Sequence, residues 1–169
     1  MPIQLEDIQY RLSGGSGNTN PALSLGGAIS NTAITENSMN AIWANVTGDQ
    51  AEDGHVAYRC IYVRNSHATL IWTLPVMWVT VVTPSVWDEI DIGVGTAAAG
   101  GVEQIIATET TAPTSVTFNR PLNKASGRAL GSIAAGSHKA IWFRRTVTAG
   151  AQIFNPNYYQ IKCEGDTLE

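Results

Sequence analysis

The chain has 169 residues, of which 44% are hydrophobic and only 14% are charged, a composition that excludes an intrinsically disordered chain. Ten basic and fourteen acidic residues give a net charge of −4, which argues against a surface that binds nucleic acid phosphates. This length supports one hydrophobic core, so residues 1–169 are predicted to form a single domain.

The N-terminal part, residues 1–30, is predicted to contain one strand, at 3–12, followed by a glycine-rich arm. Residues 13–27 carry no charge and little apolar surface, whereas ordering a backbone costs about 1 to 2 kcal/mol per residue. We therefore expect a partner to order this arm. The residues predicted to contact that partner are Ser13, Gly14, Gly15, Ser16, Gly17, Asn18, Thr19 and Asn20.

One short helix is predicted to begin after an N-cap at Asn37 or Ser38 and to end at Gly48. The apolar residues between them recur at the i, i+3, i+4 and i+7 spacing of one helix face: Met39, Ile42, Trp43 and Val46.

Two segments of alternating character dominate the middle of the chain. Residues 56–64 and 69–82 are predicted to be adjacent antiparallel strands, joined by a turn at 65–68. Strict alternation would place Trp72 and Trp78 on one face of the second strand. Pro75 cannot donate to a ladder of hydrogen bonds, so it marks an edge position or a bulge. The second segment lacks charge, but its proline and β-branched residues favour strands over a membrane span.

Further strands are predicted at 89–94, 102–108, 114–118, 139–148 and 158–164, separated by Gly, Pro, Asn and Ser clusters. In the fourth of these, Trp142 is expected to be a core or interface anchor. We therefore predict an all-β fold. It is a single antiparallel β-sandwich, immunoglobulin-like or jelly-roll-like, with one short helix, a long N-terminal arm and a body formed by residues 31–169.

No motif in the sequence indicates catalysis. Residues 93–98 match a G-x-G-x-x-A turn, but Gly100 and Gly101 would end the helix that a dinucleotide site requires. The acidic residues at 88–91 lack EF-hand spacing and are interpreted as a solvated strand end. We expect no catalytic residue, no cofactor and no metal. A carbohydrate-binding module that uses its tryptophan faces is one alternative.

Several segments carry a resemblance to known proteins. Residues 56–79, together with 130–136 leading into 139–143, resemble immunoglobulin-like modules. Nearly the whole chain resembles small virion structural proteins of tailed bacteriophages. The segments that carry this second resemblance are LSGGSGNTNPALSLGGAIS (12–30), YRCIYVRNSHAT (58–69), TETTAPTSVTF (108–118), ALGSIAAGSHKAIWFRRTVTAGA (129–151) and EGDT (164–167). The resemblance implies no catalytic residue.

The resemblance implies a non-enzymatic component of the virion. Glu6 and Asp7 stand where a signal peptide needs an apolar run, so we expect the chain to be made in the host cytoplasm. We expect a capsid decoration (cement) protein that binds the outer surface of the assembled major capsid protein. A tail, baseplate or fibre-associated module is the alternative. The expected partners are the major capsid protein, other virion subunits or two further copies in a homotrimer, with no nucleic acid and no membrane.

Overall fold

A computed structural model describes residues 2–167. Its strands are β1 (Ile8–Ser13), β2 (Gly26–Gly27), β3 (Ile29–Ala33), β4 (His55–Asn65), β5 (Trp72–Val81), β6 (Asp88–Val94), β7 (Glu103–Ile105), β8 (Arg128–Ala129), β9 (His138–Val147) and β10 (Gln160–Thr167). The α-helix α1 spans Gly48–Asp53, and short 3-10 turns lie at Leu5–Asp7, Pro21–Leu23 and Lys124–Ser126. No helix among the described residues is long and apolar enough to cross a membrane.

The strands form two sheets and a short ribbon, in which every pair is antiparallel. The larger sheet has the order β3-β1-β4-β9-β6, the smaller sheet has the order β10-β5-β8, and the ribbon pairs β2 with β7. The predicted all-β, sandwich-like antiparallel fold with one α-helix is confirmed.

The main core lies between the two sheets. Its fully buried side chains include Ile61, Val63, Ile141 and Phe143 of the larger sheet and Met77 and Val79 of the smaller one. They are bulky and β-branched or aromatic for the most part, as expected of strands whose inner faces interdigitate.

The opposite face of the larger sheet is buried as well. A second cluster on that face contains Tyr58, Cys60, Tyr62 and Trp142, and it is covered by residues from the arm and from the segment after β7. Both alternating sets of β4 are therefore buried. Trp142 is 0% exposed, which confirms it as a core anchor.

The predicted pairing of residues 56–64 with 69–82 is wrong. β4 pairs with β1 and β9, whereas β5 pairs with β10 and β8 in the other sheet. The connection therefore crosses between the sheets, and the buried Asn65 anchors it: its Nδ2 donates to the carbonyl oxygens of Leu70 (2.8 Å) and Ile133 (3.1 Å).

A bulge in β5 overturns the predicted common face of its two tryptophans. Glu164 of β10 pairs with Val76 of β5, and Asp166 pairs with Thr73. The paired positions are two residues apart in β10 but three residues apart in β5, so β5 carries one extra residue at Leu74–Pro75. An extra residue reverses the facing of every side chain beyond it. Trp72 consequently packs into the main core, while Trp78 lies on the outer face beneath the Lys162 ammonium group.

The predicted helix lies in the wrong place. Residues 36–47 are irregular, with positive φ at Asn37 and Asn40, and α1 begins where the predicted helix was to end. Thr47 is its N-cap: the hydroxyl accepts from the Gln50 amide N–H (3.3 Å), and Oε1 of Gln50 accepts from the Thr47 amide N–H (3.1 Å). The capping box therefore decides where the helix begins. The apolar residues before it form no helix, although Ile42 still packs against the main core.

Residues 114–118, predicted to be a strand, form none. The neighbouring Asn119 instead makes an isolated bridge to Ile92 and covers part of the free edge of β6.

Candidate functional site

The predicted partner-contact residues form the first half of the connection from β1 to β3. Ser13, the last residue of β1, is fully buried, whereas the others are exposed or half-buried. The exposed residues are Gly14, Ser16, Gly17, Thr19 and Asn20, and the half-buried residues are Gly15 and Asn18.

Asn18 holds this segment in one conformation. Its Nδ2 donates to the Ser13 carbonyl oxygen (2.6 Å), and its Oδ1 accepts from the Asn20 amide N–H (2.9 Å). Its own carbonyl oxygen accepts from the hydroxyls of Ser30 (2.5 Å) and Thr32 (2.8 Å) on β3. One asparagine thereby supplies hydrogen bonds on both sides of the loop.

The second half of the arm completes the larger sheet. β1 pairs only with residues 61–65 of β4, which leaves the first half of β4 without a neighbour on that side. There the Cys60 amide donates to the Ser24 carbonyl oxygen (2.8 Å), and the Tyr58 amide donates to that of Glu109 (2.7 Å). The arm is thus ordered by contacts within the chain, and the expectation that a partner orders it is wrong. Contact with a partner remains a prediction.

Gly26 explains why the arm needs glycine at one point. Its φ is +95°, and a Cβ placed there would lie 1.8 Å from the carbonyl oxygen of Gln104. The ribbon of β2 and β7 can form only because the two backbones approach this closely.

A shallow, uncharged cleft of about 520 Å³ lies between the arm and β7. Its rim carries two apolar side chains that are largely exposed, Leu23 at 60% and Ile105 at 75%. Its walls are glycine and alanine backbone together with half-buried Leu25. Because no charged residue lines the cleft, an apolar side chain of a neighbouring protein can enter it without removing a charge from water.

A buried glutamate, Glu103, anchors the start of β7. Glu103 accepts from the Ala97 amide N–H (3.0 Å) and the Thr96 hydroxyl (3.0 Å). Burial alone would raise the pKa of Glu103, but these hydrogen bonds outweigh it and hold the pKa below its ordinary value. The Tyr62 hydroxyl accepts from the Glu103 amide (3.0 Å) and donates to the Gly27 carbonyl oxygen (2.5 Å), so one side chain ties both ribbon strands to β4.

Most of the basic side chains are neutralised within the chain. The ion pairs are Arg145 with Asp88, Arg144 and Arg120 with Asp91, Arg120 with Glu89, Arg59 with Glu109, and Lys124 and Lys162 with Glu164. The pair of Arg145 with Asp88 is bidentate, with nitrogen–oxygen distances of 3.0 Å and 2.5 Å. The surface is close to electrically neutral where these pairs lie, except at Glu164, which two lysines share.

These pairs correct the interpretation of the acidic segment as a solvated strand end. Asp88 is 5% exposed and Asp91 is 7% exposed, because the facing strand β9 presents arginines to both faces of β6. Asp88 and Asp91 lie on opposite faces of β6, because they are three residues apart in the strand. The sequence does contain one indication of these ion pairs, because the adjacent Arg144 and Arg145 must point to opposite faces of their strand. It does not show that β9 lies beside β6, so it does not identify the aspartates as their partners.

The tryptophans proposed as a sugar-stacking platform are buried on opposite faces of β5, so together they offer no flat surface to a sugar. Within residues 2–167, no group of three or more His, Cys, Asp or Glu side chains is placed to hold a metal ion.

Comparisons with protein-family models, with curated proteins and with solved structures find no match to this chain.

Proposed function

We propose that this chain is a non-enzymatic structural protein of a tailed-phage virion, and that it decorates the capsid by binding the outer surface of the assembled major capsid protein. The observation that carries the proposal is an uncharged, partly apolar face, formed by the arm and the cleft, in a chain that pairs most of its basic side chains internally. The sequence resemblance to virion structural proteins supplies the biological setting.

The charge pairing favours docking against other subunits. A charge that loses its water at an interface costs several kcal/mol unless it is paired there. Here the arginines of β9 already have carboxylate partners in the same chain, and the arm carries no charge. A neighbour can therefore cover this surface without supplying a matching ion.

The arm and the cleft form the face that we assign to the capsid. The exposed atoms of residues 14–20 are backbone amides and carbonyls and small hydroxyl or amide side chains, which hydrogen-bond readily to a neighbouring loop. Leu23 and Ile105 stand at the edge of this polar strip as apolar anchors. Protein interfaces commonly combine apolar anchors of this kind with neighbouring polar groups that form hydrogen bonds.

Binding of this kind would reinforce a shell by mass action. A ligand that binds the assembled capsid and not the free subunits stabilises the assembled state by RT ln(1 + [L]/Kd). The heat resistance of capsids is then expected to rise with the concentration of added protein.

The test is co-sedimentation of the purified chain with capsids, and separately with detached tails, of the phage that encodes it. Leu23→Asp and Ile105→Asp place a charge in the cleft, so each is expected to weaken capsid binding by about tenfold or more. Leu5→Asp and Ile153→Asp are the matched controls, because both residues are more exposed and lie outside the cleft. They are expected to leave binding unchanged.

Binding to tails and not to capsids would contradict the capsid assignment and favour the tail or baseplate alternative. Binding to neither would contradict the virion role. Equal losses in the cleft variants and their controls would show that the interface lies elsewhere on the molecule.

A further inference from the structure

Strand β10 has a free edge. It pairs with β5 on one side, and on the other it makes no backbone hydrogen bond to any residue between 2 and 167. It is eight residues long, which is enough to accept another strand along its length. An open edge of this kind is a template for pairing with a further chain.

The two faces of β10 differ in chemistry. Ile161 and Cys163 pack against the main core on the inner face. Lys162 and Glu164 lie on the outer face, where their side chains form an ion pair and are 54% and 38% exposed. Any strand added at this edge has to continue the apolar inner face and meet these two charges on the outer face.

A second copy of β10 meets both requirements in one register. We consider two identical antiparallel strands related by a two-fold axis perpendicular to the sheet. Their inner faces lie on the same side only when the axis is level with one residue and not midway between two residues. With the axis at Cys163, Lys162 of each copy lies directly opposite Glu164 of the other. With the axis at Lys162 the two Lys162 ammonium groups face each other, and with the axis at Glu164 the two Glu164 carboxylates do, which is destabilising. The register at Glu164 also sets Lys162 opposite Asp166, so of these three registers only the one at Cys163 brings opposite charges together without a like-charge contact.

We propose that two copies of this chain associate through β10, paired antiparallel about a two-fold axis at Cys163. The two smaller sheets then form one continuous sheet of six strands in the order β8-β5-β10-β10-β5-β8. This association does not depend on the proposed capsid role, and its two-fold symmetry differs from that of the homotrimer expected from the sequence.

The experiment is sedimentation equilibrium of the purified full chain over a range of concentrations. The wild-type chain is expected to form dimers. Lys162→Glu and Glu164→Lys each place two like-charge contacts across the axis, so each is expected to raise the dimer Kd by about tenfold or more. The double variant with both changes restores opposite charges across the axis and is expected to restore the dimer.

Glu52→Lys is the matched control, since it makes the same change of charge as Glu164→Lys on exposed α1. It is expected to leave the dimer Kd unchanged. The melting temperature of each variant shows whether the chain still folds. Hydrogen exchange of the wild-type chain gives a second measurement that needs no variant: among residues 161–165, the amides that point away from β5 are expected to become more protected as concentration rises.

A wild-type chain that stays monomeric, or that forms trimers, would overturn the proposal. A dimer that both single variants leave intact, or that the double variant does not restore, would overturn it too, because the contact would then lie on another surface.

Discussion

Gly26 illustrates at the scale of one residue how a glycine-rich segment is ordered. Composition alone suggested flexibility, because glycine is permissive and the arm lacks charge. In the fold, however, Gly26 has positive φ and lies against the carbonyl oxygen of Gln104. The glycine allows a close approach between two strands, and the close approach orders the arm.

Gly26→Ala is therefore expected to destabilise the fold by about 1 to 3 kcal/mol, through the unfavourable φ and the collision with β7. The free energy of unfolding in urea measures this. Gly17→Ala in the same arm is the control, because a Cβ there meets no atom within 4 Å. A control as unstable as Gly26→Ala would contradict the explanation.

Glu103 gives the fold a defined dependence on pH. Its pKa in the folded chain lies below its ordinary value of 4.5, so its ionised form stabilises the fold above that value. This stabilisation is lost as the pH falls through the lower, folded pKa, where the carboxylate takes up a proton.

Glu103→Gln is accordingly expected to lower the free energy of unfolding most at neutral pH, with a difference from the wild type that shrinks below about pH 4.5. Chemical unfolding at several pH values measures the difference. The exposed Glu52→Gln serves as a control at neutral pH, where little change is expected. A difference that grows on acidification would contradict this role of Glu103.

At the scale of elements, patterning predicted the strands better than their pairing. The segments that became β4, β5, β6 and β9 were recognisable by composition and alternation. Their pairing was not, because β4 is buried on both faces and either alternating set could have faced the main core. Pro75 indicated an edge position or a bulge, and the bulge lies at Leu74–Pro75. The prediction did not include its effect, which is that Trp72 and Trp78 lie on opposite faces of β5.

The helix shows how a local capping signal can outweigh apolar spacing. Thr47→Ala removes the N-cap hydroxyl of α1 and is expected to destabilise the chain by about 1 kcal/mol, as measured by urea unfolding. Ser38→Ala, at the N-cap predicted from the sequence, is expected to change nothing. The reverse order of effects would favour a helix over residues 39–47.

At the scale of the whole molecule, the neutral character of the surface was predictable from composition, but its origin was not. A low charged fraction indicates a neutral surface. That the charges are also paired with each other depends on contacts such as Arg145 with Asp88, 57 positions apart in the sequence. The cleft likewise depends on a contact between the arm and β7 that alternation does not predict.

The position of β10 has a consequence during synthesis on the ribosome. β5 and β10 are neighbours in the smaller sheet, yet they begin at residues 72 and 160. While the intervening chain is being translated, the flank of β5 that later binds β10 has no strand beside it, and apolar side chains such as Met77 and Val79 lack part of their cover. The larger sheet can assemble once β9 has emerged, so the smaller sheet closes last. Until residue 167 has left the exit tunnel, the nascent chain offers an exposed apolar edge to which a chaperone can bind.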